Sequence, residues 1–425
     1  MGTPAESPDI LSARAEFRNR HRREDPSLKP SVALFAAFAL LMSSPAEAQR
    51  RADPAAGWAE FTRAFRAFLT ADSVVGASAL LLRDGRKLAH QEEGYADRRL
   101  KQRADERTIY HYASITKTLT AVAIMQLRDR HRLSLDDRVT SYLPELRQVH
   151  DPFGSMDSIT IRMLLSHTAG FQDPTWPYRV GKPWEPFEPT RWEQLVAMMP
   201  YQEISFPPGS RFSYSNPAFI YLARIIEAVT GDPYPTYVQK NIWTPLGLTR
   251  SYFGATPYHL ADQRSNNYTL VRDSTGRETV VANGRDFDPG VTIPNSGWNA
   301  PLADLAAYVA FLTGAAQRDT ATARRYEMVL KRASLLEMWQ PVRPITDDAA
   351  GRKGVGLSFF MFEESGSPLI GHTGDQAGFR SFFYLNPRTS AAIMGVINTA
   401  NDADPDGTAD RWNQMNRAAR LVIAR

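Results

Sequence analysis

The chain has 425 residues, 43% apolar and 23% charged, enough for one large globular domain or two intimate ones with a sizeable core. Its formal charge of +4 is small, and the pI near 9.1 reflects 42 arginines against 8 lysines; no basic run is interleaved with aromatics, so no nucleic-acid partner is expected. The absence of cysteine excludes disulfides, thiolate chemistry, iron–sulfur clusters and the common cysteine-based zinc sites.

The first recognisable element is an export signal. Val32–Met42 (VALFAAFALLM) is an apolar run of 11 residues preceded by Arg22, Arg23 and Lys29 and followed by Ala46-Glu47-Ala48 and Gln49. Basic flank, short apolar stretch and small–x–small site are the parts of a secretory signal peptide. The run is too short for a permanent transmembrane helix. A leader over 1–48 is therefore expected, cut after Ala48. The mature chain, 49–425, is expected to be secreted or periplasmic, without stable membrane insertion.

Beyond it, Trp58 to Leu69 has apolar residues at helical spacing and reads as an amphipathic helix. Two extended runs, Val74–Arg83 and Lys87–Gly94, flank Asp84-Gly85, a pair that accepts the positive φ of a tight hairpin turn. Leu119 to Leu127 (LTAVAIMQL) is apolar on nearly every face and predicts a buried helix. Residues 136–295 are rich in proline, tryptophan and short helical patterns, with little strand signal. Within them Pro217 to Gly231 predicts a helix capped by Asn216, with Pro217 in its first turn and Gly231 as terminator.

Leu302–Leu312 reads helical again, and extended runs follow at Val355–Phe362, Pro368–His372, Phe379–Leu385 and Ala391–Asn398. Several are apolar on both alternating faces, as in strands covered by helices on two sides. Ala409 to Ile423 has helical spacing. The predicted fold is α/β (α+β): an antiparallel sheet flanked by helices and closed by both termini, built from about 55–135 and 296–425. A mainly helical part, about 136–295, is inserted in it.

Three segments carry residues of catalytic type. In Ser114-Ile115-Thr116-Lys117, a helix starting at the serine puts hydroxyl and amine on one face. A lysine in a dry pocket can take a serine's proton, and a helix N-terminus offers N–H groups to a developing oxyanion. The same position also suits a serine that only caps the helix. In Tyr214-Ser215-Asn216, a phenol can relay protons and an amide can fix a substrate or a lysine, though a packed tyrosine and a capping asparagine fit equally. In Gly371-His372-Thr373-Gly374-Asp375, the glycines would let a substrate backbone lie against a strand edge; a plain β-turn is the alternative.

Taken together, SITK, YSN and HTG resemble in order and setting the three motifs of the serine β-lactamase and penicillin-binding superfamily. The nearest likeness is to class C β-lactamases, serine D-Ala-D-Ala carboxypeptidases and related esterases. YHYASITKTLTAVAIMQL, SITIRMLLSHTAGF, FPPGSRFSYSNPAFIYLARIIEAVTG and GHTGDQAGFRSFFYLNP look like blocks of that group, and the likeness runs from about Phe61 to Ile423. It implies a β-lactamase/transpeptidase-like fold and a serine hydrolase working through an acyl-enzyme. Ser114 is then the nucleophile, Lys117 and Tyr214 share the acid/base work, and Asn216 orients the lysine and contacts substrate. His372, Thr373, Gly374 and Asp375 align substrate, and the backbone N–H groups of Ser114 and Asp375 form the oxyanion hole. Which of Lys117 and Tyr214 takes the first proton is left open. The resemblance implies no cofactor, no metal and a small ester, amide, lactam or peptide substrate; it leaves the oligomeric state open.

His167, in LLSHTAG, is expected to be a structural histidine at a helix end, away from the three motifs. His90, His111, His131, His150 and His259 show no metal-ligand spacing. Two departures bear on substrate. Position 372 is His where true β-lactamases carry Lys, and position 375 is Asp where related peptidases carry a small or hydroxyl residue. Both disfavour an anionic lactam or a free peptide C-terminus, because an unpaired Asp375 would repel it. Esterase activity is thus expected ahead of β-lactamase or D-Ala-D-Ala carboxypeptidase/D-aminopeptidase activity. A non-catalytic lactam- or muropeptide-binding protein is the alternative of a different class. Asn295-Ser296-Gly297-Trp298 also replaces a Gly-Gly pair usual in the group.

Overall fold

Phe61, Phe65, Phe68 and Leu69 fall on one side of the first helix, α1 (Pro54–Ala71), as their spacing requires. The computed structural model describes residues 54–171, 189–314 and 320–424; the expected leader and its cleavage site lie outside them. Among the described residues no helix is long and apolar enough to cross a membrane.

After α1 comes the predicted hairpin, β1 (Gly76–Arg83) and β2 (Arg86–Asp97), with both turn residues, Asp84 and Gly85, at positive φ. Short strands β3 (Gln102–Arg103) and β4 (Ile109–His111) lead to a 3₁₀ turn, Ala113–Ile115, which runs into α2 (Thr116–Asp129). Every residue of α2 from Thr116 to Leu127 is buried, as its all-round apolar character demands. The middle of the chain carries α3 (Ile161–Leu165), α4 (Trp192–Met198), α5 (Asn216–Thr230) and shorter helical turns. It also carries β5 (Tyr252–Phe253), β6 (Asn267–Arg272) and β7 (Glu278–Gly284). Next are α6 (Ile293–Ser296), β8 (Trp298–Pro301) and α7 (Leu302–Thr313). The C-terminal part holds β9 (Arg343–Pro344), β10 (Gly354–Val355), β11 (Phe360–Glu364) and β12 (Ser367–Gln376). It ends with β13 (Phe379–Asn386), β14 (Ala391–Ile397), β15 (Thr399–Asn401) and α8 (Pro405–Ala424).

Nine strands form one sheet in the order β3-β2-β1-β14-β13-β12-β11-β10-β9, with neighbours antiparallel. The first strand pairs with the last long one, Ala77 opposite Ile397, so the two ends of the described chain close the sheet. Alternation assigns the faces. Ala77, Ala79, Leu81, Phe382, Tyr384 and Ile393 pack under α1 and α8, while Leu80, Leu82, Phe383, Leu385 and Met394 pack with α2 and α7. The buried Asp72 carboxylate ties α1 to α8, accepting from Asn401 Nδ2 (2.6 Å), Thr408 Oγ1 (2.7 Å) and Arg411 Nη2 (2.6 Å). A carboxylate out of water needs that many donors.

Three local expectations change. The predicted strand over Val355–Phe362 is two strands, because Gly356 lies so close to Met338 that a Cβ there would sit 2.2 Å from its carbonyl oxygen. The middle segment, read as poor in strands, contains the β6–β7 hairpin, whose outer strand is largely exposed and so lacks apolar alternation. That hairpin joins β15 by a parallel pairing. Finally, Ser215 and not Asn216 caps α5: its Oγ accepts from Ala218 N at 3.2 Å, and Asn216 is the first helical residue.

Candidate active site

Ser114 sits in a turn pinned from two sides. Ala113 before it has φ +48°, and Trp298 of β8 brackets the turn, donating to Thr116 Oγ1 (3.0 Å) and accepting from Tyr112 N (2.8 Å). On the other side runs β12. A Cβ at position 374 would lie 2.2 Å from Tyr112 O and 2.6 Å from Ser381 Oγ, so only glycine lets the strand lie against the serine turn. β11 stops opposite Gly371, so from His372 onward β12 is paired only with β13. That leaves its other edge toward the Ser114 turn, with Asp375 one residue past the close approach.

Lys117 Nζ lies 3.0 Å from Ser114 Oγ, the contact that the three-residue spacing predicts. The lysine side chain is fully buried, and it donates to Asn216 Oδ1 (2.6 Å) and to the Asn295 carbonyl (2.9 Å). Asn295 Nδ2 also donates to Asn216 Oδ1 (3.2 Å), which fixes the amide with its oxygen toward the lysine. Both oxygens can only accept, so two N–H bonds point at them whether the amine is charged or neutral. The direction toward Ser114 then carries a proton in one state and a lone pair in the other, which is the geometry of a proton acceptor that need not move. Tyr214 completes this side, its ring centroid 4.8 Å from Lys117 Nζ.

The structure brings Ser114, Lys117, Tyr214, Asn216, His372, Thr373, Gly374 and Asp375 to one place: seven of them border a cavity of about 470 Å³, with Lys117 buried behind Ser114. His372 is buried, and its Nδ1–H donates to the Thr373 carbonyl at 2.6 Å. Burial, and next the charge of Lys117, push its pKa down to about 3, so position 372 is neutral at working pH.

Two expectations are corrected. His167 is not away from the motifs; its ring stacks on Tyr214 with centroids 4.6 Å apart, because the chain after α3 folds back over the tyrosine loop. Asp375 is not an unpaired charge. Its cross-strand neighbour in the β12–β13 register is Arg380, whose Nε lies 2.8 Å from its carboxylate. The repulsion argued from an uncompensated Asp375 therefore falls away.

Other groups at the site escaped the sequence. Asn295 contributes a backbone oxygen, which any residue has. Arg352, from the loop between β9 and β10, borders the cavity with its charge held by Asp348 (3.0 Å), and Trp412 and Asn413 reach it from α8. Elsewhere, His90, Glu92 and Glu106 bring ligand-type atoms within 4.8 Å of one another, a grouping that spacing misses because Glu106 comes from a separate loop. Lys87 Nζ, 2.5 Å from Glu106 Oε1, already pairs that carboxylate.

Comparison with known proteins follows the same lines. The sequence model of the Beta-lactamase family matches residues 61–415. Over 334 residues the chain is 25% identical to Protein flp of Staphylococcus aureus (strain COL), covering 78% of this chain and 61% of that protein. The chain thus spans about three-fifths of the length of that relative. Among solved structures, an octameric penicillin-binding protein homologue from Pyrococcus abyssi superposes with TM-score 0.68 at 26% identity, over 86% of this chain and 77% of that one. A D-stereospecific amidohydrolase from Streptomyces sp. superposes with TM-score 0.63 at 27% identity, over 83% and 96%.

Proposed function

We propose that this chain, which belongs to the Beta-lactamase family, cleaves an ester or amide bond through an acyl-enzyme on Ser114, with small neutral acyl substrates preferred. The observation that carries the reading is the 3.0 Å contact from Lys117 Nζ to Ser114 Oγ, with the amine held by Asn216 and Asn295. In the reaction, Lys117 and Tyr214 together take the Ser114 proton, and Oγ attacks the substrate carbonyl carbon. The oxyanion accepts hydrogen bonds from the N–H groups of Ser114 and Asp375. The stored proton passes to the departing alcohol or amine as the C–O or C–N bond breaks. Water, deprotonated by the same pair, then attacks the acyl-enzyme and returns Ser114.

The substrate preference rests on charge. A neutral His372 supplies no cation, and Asp375 and Arg380 cancel, so the strand edge has little pull on a substrate carboxylate. Against a panel of p-nitrophenyl esters, nitrocefin and D-Ala-D-Ala peptides, the neutral esters are expected to give the highest kcat/KM. Asp375→Thr leaves Arg380 unbalanced and should raise kcat/KM for carboxylate-bearing substrates by roughly two- to fivefold, the size of an exposed charge interaction. Arg380→Gln should do the reverse, and neutral esters should hardly respond. Equal shifts for both substrate classes would overturn the charge argument. A preference for D-configured amides would favour the second reading, an amidase, which the 27% identity to a D-stereospecific amidohydrolase supports.

We also propose that the protein is exported, on the strength of the apolar run Val32–Met42 and the Ala46-Glu47-Ala48 site. Intact mass of the exported protein should then place Gln49 first. A mass that retains Val32–Met42 would instead mean a membrane-tethered protein.

A further inference from the structure

We infer that His167 is a positioning residue for the tyrosine of the site: it clips the tripeptide Ser213-Tyr214-Ser215 through three contacts, one to each residue. The inference rests on the hydrolase reading above and adds to it a residue that touches no substrate.

The clip is built as follows. The His167 carbonyl accepts the Ser213 N–H at 2.9 Å, and its Nδ1 accepts the Ser215 N–H at 3.1 Å. Between them its ring lies on the Tyr214 ring, 4.6 Å between centroids and 25° from parallel. His167 holds φ +55°, in the left-handed region that few residues other than glycine occupy, just after α3. One residue thus offers a backbone acceptor, a ring acceptor and an aromatic face to three consecutive positions. Phenylalanine would keep the face and lose the ring acceptor; asparagine would keep an acceptor and lose the face.

The contact also fixes the tautomer. A backbone N–H can only donate, so Nδ1 presents its lone pair and the ring proton is on Nε2. Protonating Nδ1 would set two donors against each other. The groups that face the ring oppose that: Lys117 from α2, His372 from β12 and Arg352 from the β9–β10 loop bring positive or neutral charge, and Phe212, Phe219 and Phe360 complete the wall. Burial first, then Lys117 and His372, hold this imidazole well below its ordinary range.

What the clip holds is the acid/base apparatus. Tyr214 takes its ring position from the stack. Ser215, held at its N–H, caps α5, and the next residue, Asn216, presents its oxygen to Lys117 at 2.6 Å.

The test is a double-mutant cycle on purified full-length protein with a p-nitrophenyl ester. His167→Phe alone should cut kcat by roughly tenfold or more, since small misplacements of catalytic groups are costly, while leaving KM within about twofold. Added to Tyr214→Phe, it should cost less than about twofold further, because the Ser215–Asn216–Lys117 side that it disturbs serves the same proton as the tyrosine. His167→Asn, which restores an acceptor for the Ser215 N–H, should recover part of kcat. Losses that multiply in the double variant, or wild-type kcat in His167→Phe, would overturn the inference. If His167→Phe does not fold, as judged by its Tm, the same cycle is run with His167→Asn. Either failure leaves the need for Ser114 intact, whereas turnover surviving in Ser114→Ala would remove the acyl-enzyme reading on which the inference rests.

Discussion

Ser114→Ala is expected to lower kcat/KM by at least roughly 10³-fold and to abolish labelling by a fluorophosphonate, with Tm nearly unchanged. The size follows from what remains. Without Oγ no acyl-enzyme forms, and only substrate binding and the oxyanion donors are left to assist water. The fold should tolerate the change because Ser114 is only partly buried at the cavity edge and the loss is one hydroxyl bonded to Lys117. The turn's shape is set by others: the Tyr112 carbonyl accepts from Ser381 Oγ at 2.9 Å, and Thr116 Oγ1 is held by Trp298 N. Lost labelling with retained turnover would mean that Ser114 is reactive but does not carry the reaction. Unchanged turnover and labelling would place the nucleophile elsewhere and sink the Ser114 reading, whereas a wild type that neither turns over nor labels would leave a binding protein as the better account.

What could be read ahead of the structure had local causes. Three-residue spacing brings Ser114 and Lys117 together by helix geometry alone, and the Asp-Gly turn and the all-apolar α2 are likewise properties of a few neighbouring residues. What could not be read depends on pairing between distant segments. Arg380 neutralises Asp375 because the β12–β13 register sets them opposite; shifting that register by one would have left the carboxylate bare. Asn295 acts through its carbonyl, which leaves no trace in residue type. His167 stood in a recognisable block, LLSHTAG, yet its contact with Tyr214 spans 47 positions of chain and an aromatic stack has no sequence period. At Gly374 the sequence suggests substrate access, and the structure adds a second reason, its close approach to Tyr112 and Ser381.

Lys117→Ala and Tyr214→Phe should each lower kcat by roughly 10²–10⁴-fold, the range of a lost general acid or base, and the double variant should be little worse than the more damaging single one. The two groups serve one proton, so removing the first already disables the transfer that the second assists. If the double variant shows the product of the two losses, they act in separate steps and the shared assignment is wrong. Lys117→Ala carries a second signature that Tyr214→Phe lacks. The lysine's positive charge is one reason His167 and His372 resist protonation, after burial itself. Removing it should raise both imidazole pKa values, which an NMR titration of the histidine ring protons would read. With His372 at about 3 when folded and near 6.5 when unfolded, the folded state loses stability as pH falls below about 6.5, because only the unfolded chain takes up the proton. In Lys117→Ala that interval narrows from below. Its stability should therefore decline less between pH 6.5 and 3 than the wild type's, even if it starts lower for having left Asn216 Oδ1 and the Asn295 carbonyl without their lysine donor. An acid unfolding curve that merely shifts down, with the same slope, would mean that burial alone keeps these histidines neutral and that the lysine's charge is screened from them.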